Sequence, residues 1–202
     1  MRTSLFLMIA LAASACGDDG NGAADAPPVA IDAPAVAQNC TTYCSQVMTN
    51  CTGANVQYSS DANCMAACAK FALTPGTAAD MSGPTLGCRI YHSGTPSMTT
   101  PATHCVHAGP AGADNATAGN SVCGSACDNF CTLATAACPT QYPDLAGCKT
   151  SCGALAAGLK FTSTIQTGNT LACRLYHVTV ALTTPAPHCT HIPAPTAAGA
   201  CI

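Results

Sequence analysis

Two matched sets of eight cysteines constrain this chain more than any other feature of its sequence. The first set runs from Cys40 to Cys123 and the second from Cys127 to Cys201. Both follow the order CxxxCx6C, CxxxC, CRxYH, HCxH and a last cysteine. Because a long motif order repeated at a fixed period indicates internal duplication, the chain contains two tandem copies of one small domain. We refer to residues 38–123 as repeat 1 and to residues 124–202 as repeat 2.

Each repeat has little apolar surface from which to build a core. The chain has no Trp, 4 Phe and 5 Tyr, and only 7% of its residues are charged. Small exported domains of this composition are usually held together by disulfides. Since each set of cysteines is even, we expect every cysteine to be bridged within its own repeat. Zinc binding by these thiols is disfavoured, because disulfide formation competes with it outside the cytoplasm.

The CxxxC spacing predicts the architecture. Cysteines at i and i+4 lie on one face of a helix, so two such helices can be joined antiparallel by an outer and an inner bridge. This predicts a small, disulfide-rich, mainly α fold with long loops. The expected helices cover 39–52, 61–72, 124–138 and 144–159, with Ser60 and Asp144 as N-caps. Each repeat should contain a third helix or turn, over Leu86–His92 in repeat 1 and over Leu171–Val180 in repeat 2. These elements begin at Thr85 and Thr170. The stretch in repeat 2 is also compatible with a strand.

The two antiparallel CxxxC helices predict one outer and one inner disulfide in each repeat. The remaining pairs rest on sequence order alone, because eight cysteines allow 105 connectivities. The predicted bridges are Cys40–Cys68, Cys44–Cys64, Cys51–Cys88 and Cys105–Cys123 in repeat 1, and Cys127–Cys152, Cys131–Cys148, Cys138–Cys173 and Cys189–Cys201 in repeat 2.

The N-terminal residues have the features of an export signal. A positive end is followed by the apolar stretch 4–13 and by Ala13-Ser14-Ala15-Cys16. This resembles the lipobox of bacterial lipoproteins, which implies cleavage after residue 15 and lipidation of Cys16. Of the 17 cysteines, Cys16 alone lies outside the two sets of eight. Residues 16–37, rich in Gly, Ala, Asp and Pro, then form a flexible tether. The alternative is an ordinary signal peptide and a secreted protein.

The CRxYH and HCxH motifs flanked by CxxxC pairs resemble uncharacterised cysteine-rich predicted lipoproteins of Gram-negative bacteria. The resemblance covers residues 38–202 and implies no activity. Together with the lipobox, it implies a protein anchored by lipid in the cell envelope. Gly17 after the cysteine favours the outer membrane under the sorting preference of such lipoproteins.

All 6 histidines of the chain belong to the repeated motifs, three in each repeat. They are His92, His104 and His107, and their counterparts His177, His188 and His191. The repeated motif also contains Arg89, Tyr91, Arg174 and Tyr176. Three imidazoles with an open position are typical of zinc and copper sites. The favoured alternative is structural: the motif forms a hydrogen-bonded plug in which Arg89 donates to loop carbonyls.

Two function classes therefore stay open. The favoured one is a structural or binding module without a cofactor, whose protein or glycan partner is unidentified. The other is an extracytoplasmic metal-binding protein that uses the three histidines of each repeat. Convergence of the three side chains within a repeat would favour metal binding, and singly satisfied histidines would favour the structural role.

Several other functions are disfavoured by the composition. The chain contains no Glu, no Asp matches between the repeats and no serine nucleophile motif is present, so we expect no enzyme activity. The formal net charge of −3 gives no basic surface for nucleic acid. The lipid is the only membrane-binding device that the sequence predicts.

The first testable prediction concerns the N-terminus. Because Cys16 has no partner in either set of cysteines, the native protein should begin at this residue and carry a diacylglycerol thioether. Intact-mass measurement of protein from bacterial envelopes should give residues 16–202 plus lipid. A soluble product with a free thiol at Cys16 would contradict the prediction.

Overall fold

The computed structural model describes residues 37–71, 73–117, 119–155, 158–193 and 200–202. The predicted signal peptide, Cys16 and all but the last residue of the predicted tether lie outside this part of the chain. Within it the fold is helical and contains no strand, which confirms the predicted small disulfide-rich α class. Ala35–Ile202 form one compact unit. No helix among the described residues has the length and hydrophobicity needed to cross a membrane.

The two repeats share the same order of helices, apart from one additional helix in repeat 1. Repeat 1 contains α1 (Cys40–Asn50), α2 (Asp61–Cys68), α3 (Leu86–Ser93), α4 (Thr95–Thr99) and α5 (Pro101–Ala108). Repeat 2 contains α6 (Ala126–Ala137), α7 (Leu145–Gly153), α8 (Leu171–Ala181) and α9 (Pro185–His188). Among the described residues of repeat 2, α4 has no counterpart. Short 3-10 turns occupy Gly53–Asn55 and Cys189–His191.

The predicted helix starts agree with the observed capping. The side chains of Ser60, Thr85, Asp144 and Thr170 each accept a hydrogen bond from the backbone N–H three residues further on. The third element of repeat 2 is the helix α8, and the strand alternative is wrong. Helices α2 and α7 are shorter than predicted, and each ends at or just after its second bridged cysteine.

Helices α4, α5 and α9 were not predicted. Each has a proline in its first turn, where the missing N–H costs no hydrogen bond and the fixed φ suits the helix. The HCxH motif of repeat 1 lies within α5, and that of repeat 2 begins at the end of α9. Both copies of the motif thus lie in or beside helices that the sequence patterns did not reveal.

Eight disulfides join the described residues, four in each repeat. The two bridges between α1 and α2, and the two between α6 and α7, are those predicted from the CxxxC geometry. Their Cα–Cα distances are 5.6–5.8 Å, and the pairs are Cys40–Cys68, Cys44–Cys64, Cys127–Cys152 and Cys131–Cys148.

The other four predicted bridges are wrong. Cys51–Cys88 and Cys105–Cys123 are replaced by Cys51–Cys105 and Cys88–Cys123. Cys138–Cys173 and Cys189–Cys201 are replaced by Cys138–Cys189 and Cys173–Cys201. The physical reason is the unpredicted helix α5, which packs against α1 and α3 and brings its cysteine to the end of α1. In repeat 2, α9 and the turn after it present their cysteine in the same way.

Arg89 ties α3 to the chain that follows α5. This fully buried side chain donates from Nη1 to the carbonyls of Ala108 (3.0 Å) and Gly109, and from Nη2 to the carbonyl of Cys123 (3.3 Å). Its guanidinium carbon lies 4.1 Å from the centroid of the Phe71 ring, within cation–π range. These contacts replace part of the water that a buried charge gives up, while the buried Nε makes no hydrogen bond to the described residues.

Arg174 has the matching position in repeat 2. It donates to the carbonyl of Thr170 at 3.1 Å, to Oδ1 of Asn169 at 2.9 Å and to the carbonyl of Pro193 at 3.3 Å. The arginine of each CRxYH motif therefore holds the segment that follows the HCxH motif. The hydrogen bonds from Arg89 to backbone carbonyls are those that the structural interpretation of the motif predicted.

Tyrosine hydroxyls hold the same segments. Tyr43 donates to the carbonyl of Ala108 at 2.6 Å, and Tyr142 donates to the carbonyl of Ile192 at 2.7 Å. In each repeat the acceptor directly follows the last histidine of the HCxH motif. The backbone beside that histidine is thereby fixed in both repeats.

The repeats are joined by hydrogen bonds. Ser163 donates its backbone N–H to the carbonyl of Val56 at 2.8 Å, and Thr183 donates its hydroxyl to Oδ1 of Asn63 at 2.6 Å. The two repeats, which the sequence divides near residue 124, are therefore in direct contact with each other.

Candidate metal centre

The histidines of each repeat come together in one cluster. In both repeats, one ring nitrogen from each of the three histidines lies within 4.8 Å of the other two. Cluster 1 consists of His92, His104 and His107, and cluster 2 consists of His177, His188 and His191. The structure thus brings together all six histidines that the sequence singled out, three at each site.

Local backbone structure explains the convergence in cluster 1. His104 and His107 lie three residues apart on α5, so their side chains share one face of the helix. His92 lies on α3, which packs directly against α5. The bridge from Cys105, between the two α5 histidines, fixes the orientation of that helix relative to α1.

Two histidines of cluster 2 are also three residues apart, but they lie on a short helix and a 3-10 turn instead of one helix. His188 ends α9, and His191 ends the 3-10 turn that follows. In a 3-10 helix, side chains at i and i+3 lie above one another, so the two rings again point to one side. They meet His177, which lies on α8.

The central histidine of each cluster has a defined tautomer. Nε2 of His92 lies 3.0 Å from the carbonyl oxygen of Met81, and Nε2 of His177 lies 3.0 Å from that of Gln166. A carbonyl only accepts, so Nε2 carries the proton and Nδ1 of the neutral ring carries a lone pair. A backbone carbonyl behind the ring is one of the partners that commonly orient a metal-binding histidine.

Both lone pairs point into their clusters. Nδ1 of His92 lies 2.8 Å from Nδ1 of His104. Nδ1 of His177 lies 2.8 Å from Nδ1 of His188 and 3.2 Å from Nδ1 of His191. A ring nitrogen has a single lone pair, yet in cluster 2 two other imidazole nitrogens approach it. One cation shared by the three nitrogens satisfies all of them, whereas one proton satisfies only a pair.

The third histidine of cluster 1 has a buried nitrogen without a partner. Nε2 of His107 lies 2.5 Å from a carboxylate oxygen of Asp114, which accepts the ring proton. Its Nδ1 is buried and makes no hydrogen bond to the described residues. Leaving such an acceptor unpaired costs about 1–3 kcal/mol. The arrangement of carboxylate, imidazole and free Nδ1 is the one that a metal-binding histidine adopts.

Burial favours the uncharged form of four of the six rings. It lowers the pKa of His92, His104 and His188, and the neighbouring histidines lower these values further. For His177, burial is again the main cause, and it brings the pKa to about 4 despite the opposing hydrogen bond to Gln166. Since only neutral imidazole binds a metal, these rings are ready for coordination at neutral pH.

The tyrosines of the repeated motif pack against the central histidines. Tyr91 meets His92 edge to face with ring centroids 5.1 Å apart, and Tyr176 meets His177 in the same way at 5.0 Å. These contacts restrict the orientation of the rings that carry the inward lone pairs.

Sulfur does not compete for this role in the oxidised protein. The sulfur atoms of Cys88 and Cys123 also lie within 4.8 Å of a nitrogen of His92, and a matching group surrounds His177. In both groups the two cysteines are bridged to each other. Metal binding requires a thiolate, so these sulfurs are unavailable while the disulfide is intact.

A cavity of about 490 Å³ lies near the junction of the repeats and is lined by Leu73, Pro84, Asp128 and Lys149 among others. None of its lining residues belongs to a histidine cluster. The cavity is therefore separate from both clusters.

Residues 25–119 match the family model of the BfoA family C-terminal domain. The matched part is just under half of the chain and contains cluster 1 together with Asp114. No curated protein and no solved structure matches the chain significantly. This part of the chain, which covers most of repeat 1 and some residues before it, is thus similar to that family domain, and the similarity by itself assigns no activity.

Sequence analysis missed three contributors to the clusters. The carbonyls of Met81 and Gln166 leave no trace in side-chain patterns. The repeated motifs do not point to Asp114, because no acidic residue matches it in repeat 2, although it is the only acidic residue between positions 81 and 123. Comparing the two repeats identifies only residues that both contain, so it cannot identify a residue such as Asp114 that repeat 2 lacks.

A second testable prediction concerns pH. Because the pKa of His177 is about 4 in the folded protein and about 6.5 when unfolded, the unfolded chain binds a proton first as the pH falls. The free energy of unfolding of the metal-free, oxidised protein should therefore decrease between pH 6.5 and 4. Guanidinium titrations at several pH values measure it. His177→Gln should show a weaker decrease, and equal slopes in the two proteins would contradict the prediction.

Proposed function

We propose that this chain is an extracytoplasmic metal-binding protein that holds one zinc or copper ion in each repeat. The ligands are the Nδ1 atoms of the three clustered histidines. The observation that carries the proposal is the convergence of three histidine ring nitrogens in each repeat, with the Nδ1 lone pair of His92 and of His177 turned towards the other rings. Three nitrogen ligands leave the fourth position open to water or an exchanging ligand.

The observed spacings suit such an ion. Nitrogens at about 2.0–2.1 Å from a tetrahedral zinc are about 3.3–3.4 Å apart. The Nδ1 atoms of cluster 2 are separated by 2.8 and 3.2 Å from the central one, so only small ring movements are needed. Imidazole ligands suit both zinc and copper, and the general order of stability favours Cu²⁺ over Zn²⁺.

The hydrogen bonds around His107 favour metal binding by this residue over a purely structural role. Arg89 and Tyr43 already fix the chain beside His107 without help from its ring. The imidazole contributes a carboxylate hydrogen bond and an unpaired Nδ1, which is a poor arrangement for a group whose purpose is stability. A ligand role accounts for both features.

The cellular setting is also part of the proposal. The lipobox resemblance, and the position of Cys16 outside the two sets of eight cysteines, support a lipid-anchored protein of the cell envelope, with residues 16–37 as a tether. In that compartment the disulfides persist and the histidines are the metal ligands that remain. We propose metal sequestration or delivery, and no catalysis.

The third testable prediction is a metal count. His104→Ala combined with His107→Ala should halve the bound metal per chain, from about two ions to about one, because only cluster 1 is lost. The oxidised protein is equilibrated with Zn²⁺ or Cu²⁺ in separate samples, freed of unbound ion and analysed by mass spectrometry for metals. His188→Ala with His191→Ala should give the same count.

Thr103→Ala is the matched control, because Thr103 is an exposed residue of α5 next to His104. This variant should retain both ions, and all variants should keep the disulfides and the helical circular dichroism. Parent protein without stoichiometric metal, together with a loss of stability in the histidine variants, would instead support the hydrogen-bonded structural role.

A further inference from the structure

The two clusters differ at their third histidine. In cluster 1, His107 is paired through Nε2 with the carboxylate of Asp114. In cluster 2, the described residues offer His191 no carboxylate. The acidic side chains of repeat 2 act elsewhere: Asp128 pairs with Lys149 at 2.7 Å, and Asp144 caps α7. The sequence after His191 contains no Asp or Glu.

We infer that the two sites are unequal, with Asp114 acting as a positioning residue that makes cluster 1 the tighter metal site. This inference rests on the proposed metal binding. A carboxylate behind a ligating imidazole fixes its tautomer and raises the basicity of the nitrogen that faces the metal. Loss of such a partner typically weakens metal binding by about 10- to 100-fold.

Burial points in the same direction. In cluster 1, His92 and His107 are both buried, whereas in cluster 2 only His177 is. His188 and His191 are half-exposed, on a short helix and a 3-10 turn. An ion in cluster 2 is therefore more accessible to water and to a competing acceptor. The protein would retain one ion in repeat 1 and exchange the other from repeat 2.

Variants with a single remaining cluster test the inference. His188→Ala/His191→Ala leaves cluster 1, and His104→Ala/His107→Ala leaves cluster 2. Zinc dissociation constants are measured by competition with a chromophoric chelator, on the full oxidised chain. We expect cluster 1 to bind at least about tenfold more tightly than cluster 2.

Asp114→Asn is then added to each variant. The amide retains an acceptor for the His107 ring proton but lacks the charge, so cluster 1 should weaken by about tenfold or more, and cluster 2 should be unchanged. Asp114→Glu should restore part of the affinity. Asp61→Asn is the control, because it removes one exposed carboxylate from the first turn of α2, outside the clusters.

A spectroscopic measurement separates positioning from a general effect on folding. With Co²⁺ as the probe, Asp114→Asn should shift the visible ligand-field bands of the cluster 1 variant and leave those of the cluster 2 variant unchanged. Equal affinities, or no effect of Asp114→Asn on cluster 1, would overturn the inference while the proposed function stands. Absence of zinc binding by both single-cluster variants would overturn the proposed function itself.

Discussion

The eight disulfides are the constraint on which the rest of this structure depends. They connect helices that are too short and too poor in large apolar residues to associate by hydrophobic burial alone. A bridge contributes typically about 2–4 kcal/mol, chiefly by restricting the unfolded chain. Four bridges per repeat therefore allow the interior to be used for polar groups such as Arg89 and Arg174, which are both fully buried.

The buried arginines and the disulfides cooperate in building the histidine clusters. The CRxYH motif supplies a bridged cysteine, an arginine that binds the carbonyls beyond the HCxH motif, a tyrosine that packs on the histidine, and the central histidine itself. The HCxH motif supplies the other two rings around a second bridged cysteine. Each ring thus lies on a helix or turn that a disulfide ties to another part of its repeat, which reduces the entropy that binding costs.

Much of this organisation could be predicted from the duplicated sequence. The helix starts and the hairpin bridges follow from i,i+4 spacing and from capping residues such as Ser60 and Asp144. The histidines of both clusters follow from the motifs that the two repeats share. The partners of Cys51 and of Cys88 could not be predicted, because they depend on how the short helix α5 packs against α1 and α3. Pro101 at the first position of α5 was the available signal.

The chemistry of the clusters depended on information that side-chain patterns do not contain. The carbonyls of Met81 and Gln166 decide which nitrogen of the central histidine is protonated, and loop conformation alone places them. Asp114 was visible in the sequence but lacked a counterpart in repeat 2. In a duplicated site, residues present in only one copy can therefore be as important as residues that both copies share.

X-ray absorption at the zinc or copper edge, on the oxidised protein loaded with two ions, tests the central claim most directly. The account predicts a shell of three imidazole nitrogens at about 2.0–2.1 Å for zinc, with the outer-shell scattering of the rings and no sulfur near 2.3 Å. A sulfur shell would show that the cysteines bind the metal. A shell of oxygen atoms without ring scattering would show that the histidine clusters do not.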